Sequence, residues 1–225
     1  MSGAFTSALF GLALFFAAGD TRADEPPPAH RWFQLALRTG AAIPFGNVNQ
    51  ATKMSDALTV QVPLIVDVGV KPFEPLFIGI YLGAAVGGAA GVVEQQCTSV
   101  GLSCTGFGFR GGLQVQYNFL PAARLNPWIG YGIGYELGTS KGSNGERSIS
   151  NSYRGFELAH ILGGADFRLT EYFGIGPFLD IAIGQYDNAK SEANDGGRVQ
   201  TLGGTIPDKS PHAWFILGVR ATMFP

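Results

Sequence analysis

The chain has 225 residues, room for one domain behind a processed leader. Charged residues make up 14% of it, against roughly 25% in a soluble domain, too few to coat a water-facing sheet, and its 33 glycines are about double the usual share of roughly 7%. With a formal net charge of −2 and no basic run, the composition excludes a nucleic-acid partner.

The first 19 residues carry no charged side chain, and their apolar centre runs from Ala8 to Ala18. Small residues follow at Ala17-Ala18-Gly19 and Thr21-Arg22-Ala23, so the segment reads as a secretory signal peptide cut after Gly19 or Ala23. Residues 1–23 are assigned to it. Residues 24–31, with Pro26 to Pro28, are a short periplasmic lead-in, and residues 32–225 are the folded domain. No later segment approaches the 18 or so apolar residues of a membrane-crossing helix.

Period-two alternation then recurs along the chain. The first predicted strand, Trp32 to Ile43, sets Phe33, Leu35, Leu37, Ala41 and Ile43 against Gln34, Ala36, Arg38, Gly40 and Ala42, and Pro44-Phe45-Gly46 ends it. The second sets Leu64, Val66, Val68 and Val70 against Ile65, Asp67, Gly69 and Lys71. After a turn at Pro72 to Pro75, the third runs from Leu76 to Gly87, with Phe77 and Tyr81 among the glycines of its inward face.

The fourth, Gly106 to Phe119, is the most informative. Phe107, Phe109, Leu113, Val115, Tyr117 and Phe119 alternate with Gly106, Gly108, Arg110, Gly112, Gln114, Gln116 and Asn118. Strands of soluble domains average roughly 5–6 residues, whereas a tilted strand crossing a bilayer takes about 9–11. The bulky face would overfill the lumen of a small barrel. Turned outward it meets lipid, and the Gly, Gln, Asn and Arg face lines a narrow wet interior.

The fifth strand opens at Trp128 and alternates Ile129, Tyr131, Ile133, Tyr135 and Leu137 with Gly130, Gly132, Gly134 and Glu136. Residues 138–152 are polar and Gly/Ser-rich, a solvated loop. In the sixth, Tyr153 to Leu169, the end places Ala165, Phe167 and Leu169 outward and His160, Gly164, Asp166 and Arg168 inward. Carried back, that register puts Glu157 on the lipid side, which predicts a bulge near Ala159 or a membrane boundary there. The seventh sets Ile175, Leu179, Ile181 and Ile183 against Gly176, Phe178, Asp180, Ala182 and Gly184, with a bulge or the water boundary expected at Pro177. A polar gap, 188–210, precedes the eighth, His212 to Met223, where Phe215, Leu217, Val219, Ala221 and Met223 oppose Trp214, Ile216, Gly218, Arg220 and Thr222.

Eight strands with gaps alternating long and short describe an all-β, antiparallel, up-and-down transmembrane β-barrel with short periplasmic turns and long extracellular loops. Trp32, Phe73, Trp128, Tyr172 and Phe173 fall where a lower aromatic girdle belongs, and Tyr135, Tyr153, Tyr186 and Trp214 where an upper one does. Cys97 and Cys104 share one gap, so a disulfide pinching that loop is expected in an exported protein.

On these patterns the stretch from Trp32 to Phe224 resembles the small eight-stranded outer-membrane barrels of the OmpA-transmembrane, OmpX and OmpW type. The chain end, Gly218 to Phe224, is similar to their assembly signal and departs from it at Pro225. The resemblance implies residence in the bacterial outer membrane as a monomer, contact with its lipid and lipopolysaccharide, and insertion by the barrel-assembly machinery. It implies no single activity.

The inward ionisable set Arg38, Asp67, Arg110, Glu136, Asp166, Arg168, Asp180 and Arg220, with Gln114 and His160, nearly balances in sign. Unpaired, each charge would cost several kcal/mol to bury, so a paired network that plugs the lumen is expected; a polar path for small or apolar solutes is the alternative. Lipid A deacylating barrels place a Ser two residues after a His, whereas Trp32, Leu162 and Trp214 follow His30, His160 and His212. No catalytic, cofactor or metal set is expected; Asp187, Asn194 and Asp195 match no calcium loop. The functional expectation is a non-enzymatic barrel with a structural or surface-interaction role through residues 44–61, 89–104, 138–152 and 188–210.

Overall fold

The computed structural model describes residues 31–89, 94–95, 98–99, 101, 103–143 and 147–224. The signal peptide, most of the lead-in and Cys97 lie outside the described residues. Ten strands follow in order: β1 (Phe33–Asn49), β2 (Thr52–Lys53), β3 (Leu58–Phe73), β4 (Leu76–Ala89), β5 (Ser103–Asn118), β6 (Leu125–Ser143), β7 (Arg147–Arg168), β8 (Phe173–Asp195), β9 (Arg198–Thr205) and β10 (Pro211–Met223). Each barrel strand pairs antiparallel with the next, and β10 bridges β8 and β1, from Leu35↔Met223 up to Gly46↔His212. The ring therefore has eight members, β2 hangs on β1, and β9 covers the upper part of β8. Closure pairs the backbone of every wall strand on both sides, which a hydrocarbon environment demands.

The wall sorts by parity as the alternation requires. Leu113 is 62% exposed and Leu217 57%, while the inward residues Gln116, Asp180 and Ile216 are fully covered. The apolar face is thus the outside of the ring.

Several expectations needed correction. Strand β1 does not stop at Pro44 but runs on to Asn49, with Gly46 at φ 80° where the chain presses on the carbonyl of Pro211. Most of the stretch 138–152 is strand, with β6 reaching Ser143 and β7 starting at Arg147. The 188–210 gap likewise holds the top of β8 and all of β9, joined at Gly196 and Gly197, whose φ of 60° and 99° suit a two-residue hairpin turn. Polar composition marked these parts as leaving the membrane, and they leave it as sheet. Of the aromatic girdle, Trp128, Tyr186 and Trp214 point inward and are buried, while Trp32, Phe73, Tyr172 and Tyr135 are on the surface.

The bulge in the sixth wall strand is present. Glu157 pairs with Gly184 and Ala159 with Ile183, so Leu158 is the extra residue, and Phe156 and Leu158 stay outside at 57% and 55% exposure. Glu157 is consequently inside and 2% exposed, the reverse of the carried-back register. At Pro177 there is no bulge. Pairing with β10 is continuous through Val219↔Pro177, and pairing with β7 resumes in the same register on either side. Proline lacks the N–H for one ladder bond, and the sheet leaves that rung unmade.

Candidate functional site

The inward side chains form three layers across the lumen. The lowest is a periplasmic plug. Arg220 reaches Asp166 at 3.3 Å and Gln116 at 2.9 Å while lying 4.2 Å over the Trp128 ring, and Thr222 donates to Asp166. Below them Phe224 folds into the mouth, 3% exposed, with Lys71 and Arg168 each over its ring at 5.5 and 5.3 Å. Arg168, half-buried at this rim, donates to the Pro121 carbonyl.

The middle layer is the densest. Arg38 of β1 donates Nε and Nη2 to Asp67 of β3 at 2.9 and 2.8 Å, and Nη1 to Asp180 of β8 at 2.9 Å. This planar fork matches two carboxylates at once, which a lysine would not do. His160 of β7 then links Asp180, 2.5 Å from Nε2, to Glu157, 2.8 Å from Nδ1. Tyr81 of β4 donates to Glu157 at 2.7 Å and meets the His160 ring edge-on. Arg110 of β5 lies 3.7 Å from Glu157 and 4.0 Å from Glu136 of β6, and Glu136 contacts His212 of β10, which stacks on Tyr186. Every member is at most 8% exposed. Two arginines and two imidazoles face four carboxylates here.

The bulge makes this layer possible. It brings Glu157 and His160, three residues apart, onto the same inward face, where unbroken pleating would send them to opposite faces. Glycine does the same for Tyr81. A Cβ at Gly134 would stand 2.2 Å from the Tyr81 hydroxyl, so the ring reaches Glu157 only across side-chain-free backbone.

The top layer is apolar. Val48 at the end of β1, Met54 and Ala57 from the β1–β3 connection, Leu58 at the start of β3 and Ile206 from the β9–β10 connection pack with Tyr186 and Trp214 into one buried cluster. Residues 44–61 were expected to be a surface-interacting loop; Val48, Met54, Ala57 and Leu58 of that stretch turn inward and stopper the extracellular mouth.

All of Arg38, Asp67, Arg110, Gln114, Glu136, His160, Asp166, Asp180 and Arg220 are buried in the lumen, and Arg168 lies at its lower rim. The side-chain amides of Gln114 and Gln34 make no hydrogen bond among the described residues. Sequence reasoning missed Glu157, through the register error, and His212, whose partner Glu136 is distant in the chain. Both nitrogens of His160 lie against carboxylates, and among the described residues no cluster of His, Cys, Asp and Glu is arranged to hold a metal ion. The disulfide expectation depends on Cys97, outside the described residues; Cys104 is the second residue of β5.

No family model and no curated sequence matches the chain. Solved structures do. It is similar to a major outer-membrane protein from Thermus thermophilus, 14% identical over 84% of this chain and 98% of that one, with a TM-score of 0.55. Two further matches are the outer-membrane protein OprG from Pseudomonas aeruginosa, 12% identical over 89% and 100% with a TM-score of 0.45, and the outer-membrane protease OmpT from Escherichia coli, 9% identical over 91% and 99% with a TM-score of 0.43. At 14% identity the Thermus thermophilus match shows the fold alone, that of an outer-membrane β-barrel.

Proposed function

We propose that the chain is an integral protein of the bacterial outer membrane, exported by its leader, whose closed barrel has a structural or surface-interacting role and no catalytic activity. One observation carries the reading. The layer from Asp67 through Arg38, Asp180, His160, Glu157 and Arg110 to Glu136 and His212 crosses the whole lumen, with an apolar stopper above it and an Arg220–Asp166 plug below. Side chains paired with one another across the lumen hold one another in place against a passing solute, and eight strands leave little bore around them. Contact with outer-membrane lipid and lipopolysaccharide, delivery by the barrel-assembly machinery and a monomeric state belong to the same reading.

The competing reading is a narrow channel for small or apolar solutes. It draws on the inward amides of Gln34, Gln61 and Gln114, which have buried atoms with no protein partner and would suit a file of water. Conductance of the purified barrel in planar bilayers decides between them. A trace at leak level is expected, and a stable open level well above leak overturns the plugged lumen.

A further inference from the structure

The outer wall carries a break in its apolar face. On β5 the outward positions run Phe107, Phe109, Gly111, Leu113 and Val115, so one rung has no side chain. Gly111 pairs with Tyr135 of β6, and Tyr135 with Phe156 of β7. Around the missing side chain is a groove of about 460 Å³ walled by Leu113, Ile133, Tyr135, Phe156 and Leu158. The register shift of β7 falls at Leu158, on the wall of this groove.

Directly above, the same face turns polar. Leu137 pairs with Arg154, Arg154 with Asn188, and Ser152 with Lys190. These residues and Thr201 line a second depression of about 700 Å³. Arg154 is exposed and makes no ion pair among the described residues. Lys190 contacts Glu192 at 2.6 Å but is 57% exposed, which leaves ammonium protons for another acceptor. From Phe156 to Arg154 is two residues of strand, about 7 Å. The edge-to-face pair Tyr135–Phe156, 5.3 Å between centroids, is the sill between the depressions.

An apolar groove that opens upward onto a cation at the height where the apolar belt ends has the layout of a lipid: chain below, charged headgroup above. We propose that this face of β5 to β8 is a binding site for one anionic, acylated lipid of the surrounding outer leaflet, with its phosphate on Arg154 and Lys190 and one acyl chain over Gly111. The inference rests on the outer-membrane placement proposed above. A phosphate gives Arg154 the bidentate acceptor it lacks, and Ser152 and Asn188 supply neutral donors beside it. Bulk lipid would wet this wall anywhere, whereas the coincidence of groove and cation singles out one position.

The test uses the full chain purified in detergent micelles, with bisphosphorylated hexa-acyl lipid A and its dephosphorylated counterpart as probes, and native mass spectrometry as the readout. The phosphorylated form is expected to bind more tightly. The double variant R154Q/K190Q should lose about ten-fold in affinity for it and nothing for the dephosphorylated form. Gly111→Leu fills the groove and should weaken both forms alike; its folding is checked by heat-modifiable gel migration. Equal binding of both lipids by the wild type, or variants that match it, overturns the site while the barrel stands. A wild-type chain that never gives the fast-migrating folded band fails earlier, as a membrane barrel, and removes the site with it.

Discussion

Arg38 offers the sharpest test of the lumen. It is fully buried and donates three hydrogen bonds to two carboxylates that are themselves fully buried. Replacing it with methionine keeps most of the volume and leaves Asp67 without its partner and Asp180 with only His160. Removing one member of a buried ion pair costs about 3–5 kcal/mol, chiefly because the surviving charge stays desolvated. The expected loss for Arg38→Met is in that range, read from urea unfolding of the refolded barrel in micelles, followed by tryptophan fluorescence and by the heat-modifiable band. Adding Asp67→Asn removes one orphaned charge, so the double variant should recover roughly 1–3 kcal/mol of the loss, a coupling typical of directly bonded residues. The control is Arg147–Asp195, which is 61% and 74% exposed on the extramembrane part of β7 and β8; breaking it by Asp195→Ala should cost about 0–1 kcal/mol. If Arg38→Met stays within about 1 kcal/mol of the wild type, or the Asp67→Asn background makes no difference, the central layer is solvated and the plugged lumen is wrong.

Further outcomes follow from the same geometry. Val115→Arg on the outward face should cost roughly 2–4 kcal/mol in bilayer refolding, whereas Val199→Arg on β9 should be close to neutral; equal costs would mean that the apolar belt has been misplaced. Deleting Ala159 removes the bulge and leaves Glu157 and His160 two residues apart, both still inward under unbroken pleating, so the variant should retain a heat-modifiable band, whereas deleting both Leu158 and Ala159 would send Glu157 to the lipid face and should abolish it. Met54→Ala, in the apolar stopper, should lose about 2–5 kcal/mol by cavity formation, a larger effect than any truncation of a solvated loop residue. Intact mass before and after reduction and alkylation tests Cys97–Cys104; two alkyl groups added without reductant would refute the disulfide.

Much of the wall was legible because a closed sheet in lipid leaves each residue only two choices. Where Leu113, Val115 and Tyr117 alternate with Gly112, Gln114 and Gln116, chemistry and parity agree, and the fold class follows from residues read one strand at a time. The extramembrane sheet was not legible in this way. Residues 138–152 and 188–205 have a loop composition, and they are strand because β7, β8 and β9 pair with one another above the membrane, a tertiary preference that overrides local propensity. The inward turn of Met54 and Leu58 was hidden for a related reason: whether an apolar loop residue covers a mouth depends on where the loop returns.

The site itself was half legible, and the boundary falls at Leu158. Below it, Asp166 and His160 keep the parity that the strand end sets, so their inward positions could be read from the pattern alone. Above it, a single extra residue reverses the parity of everything up to the next irregularity, and Glu157, the carboxylate that joins Tyr81, His160 and Arg110, appears on the wrong face. The stretch did contain a signal. Continuing the lower register would put a carboxylate in hydrocarbon and both Phe156 and Leu158 in a lumen already filled by Tyr81 and Phe178, and that double penalty is what a bulge relieves. The energetics could therefore place the irregularity to within a residue or so. They could not show that its consequence is to set a glutamate and a histidine on the same face, because that depends on which neighbouring strands supply the tyrosine and the arginines they meet.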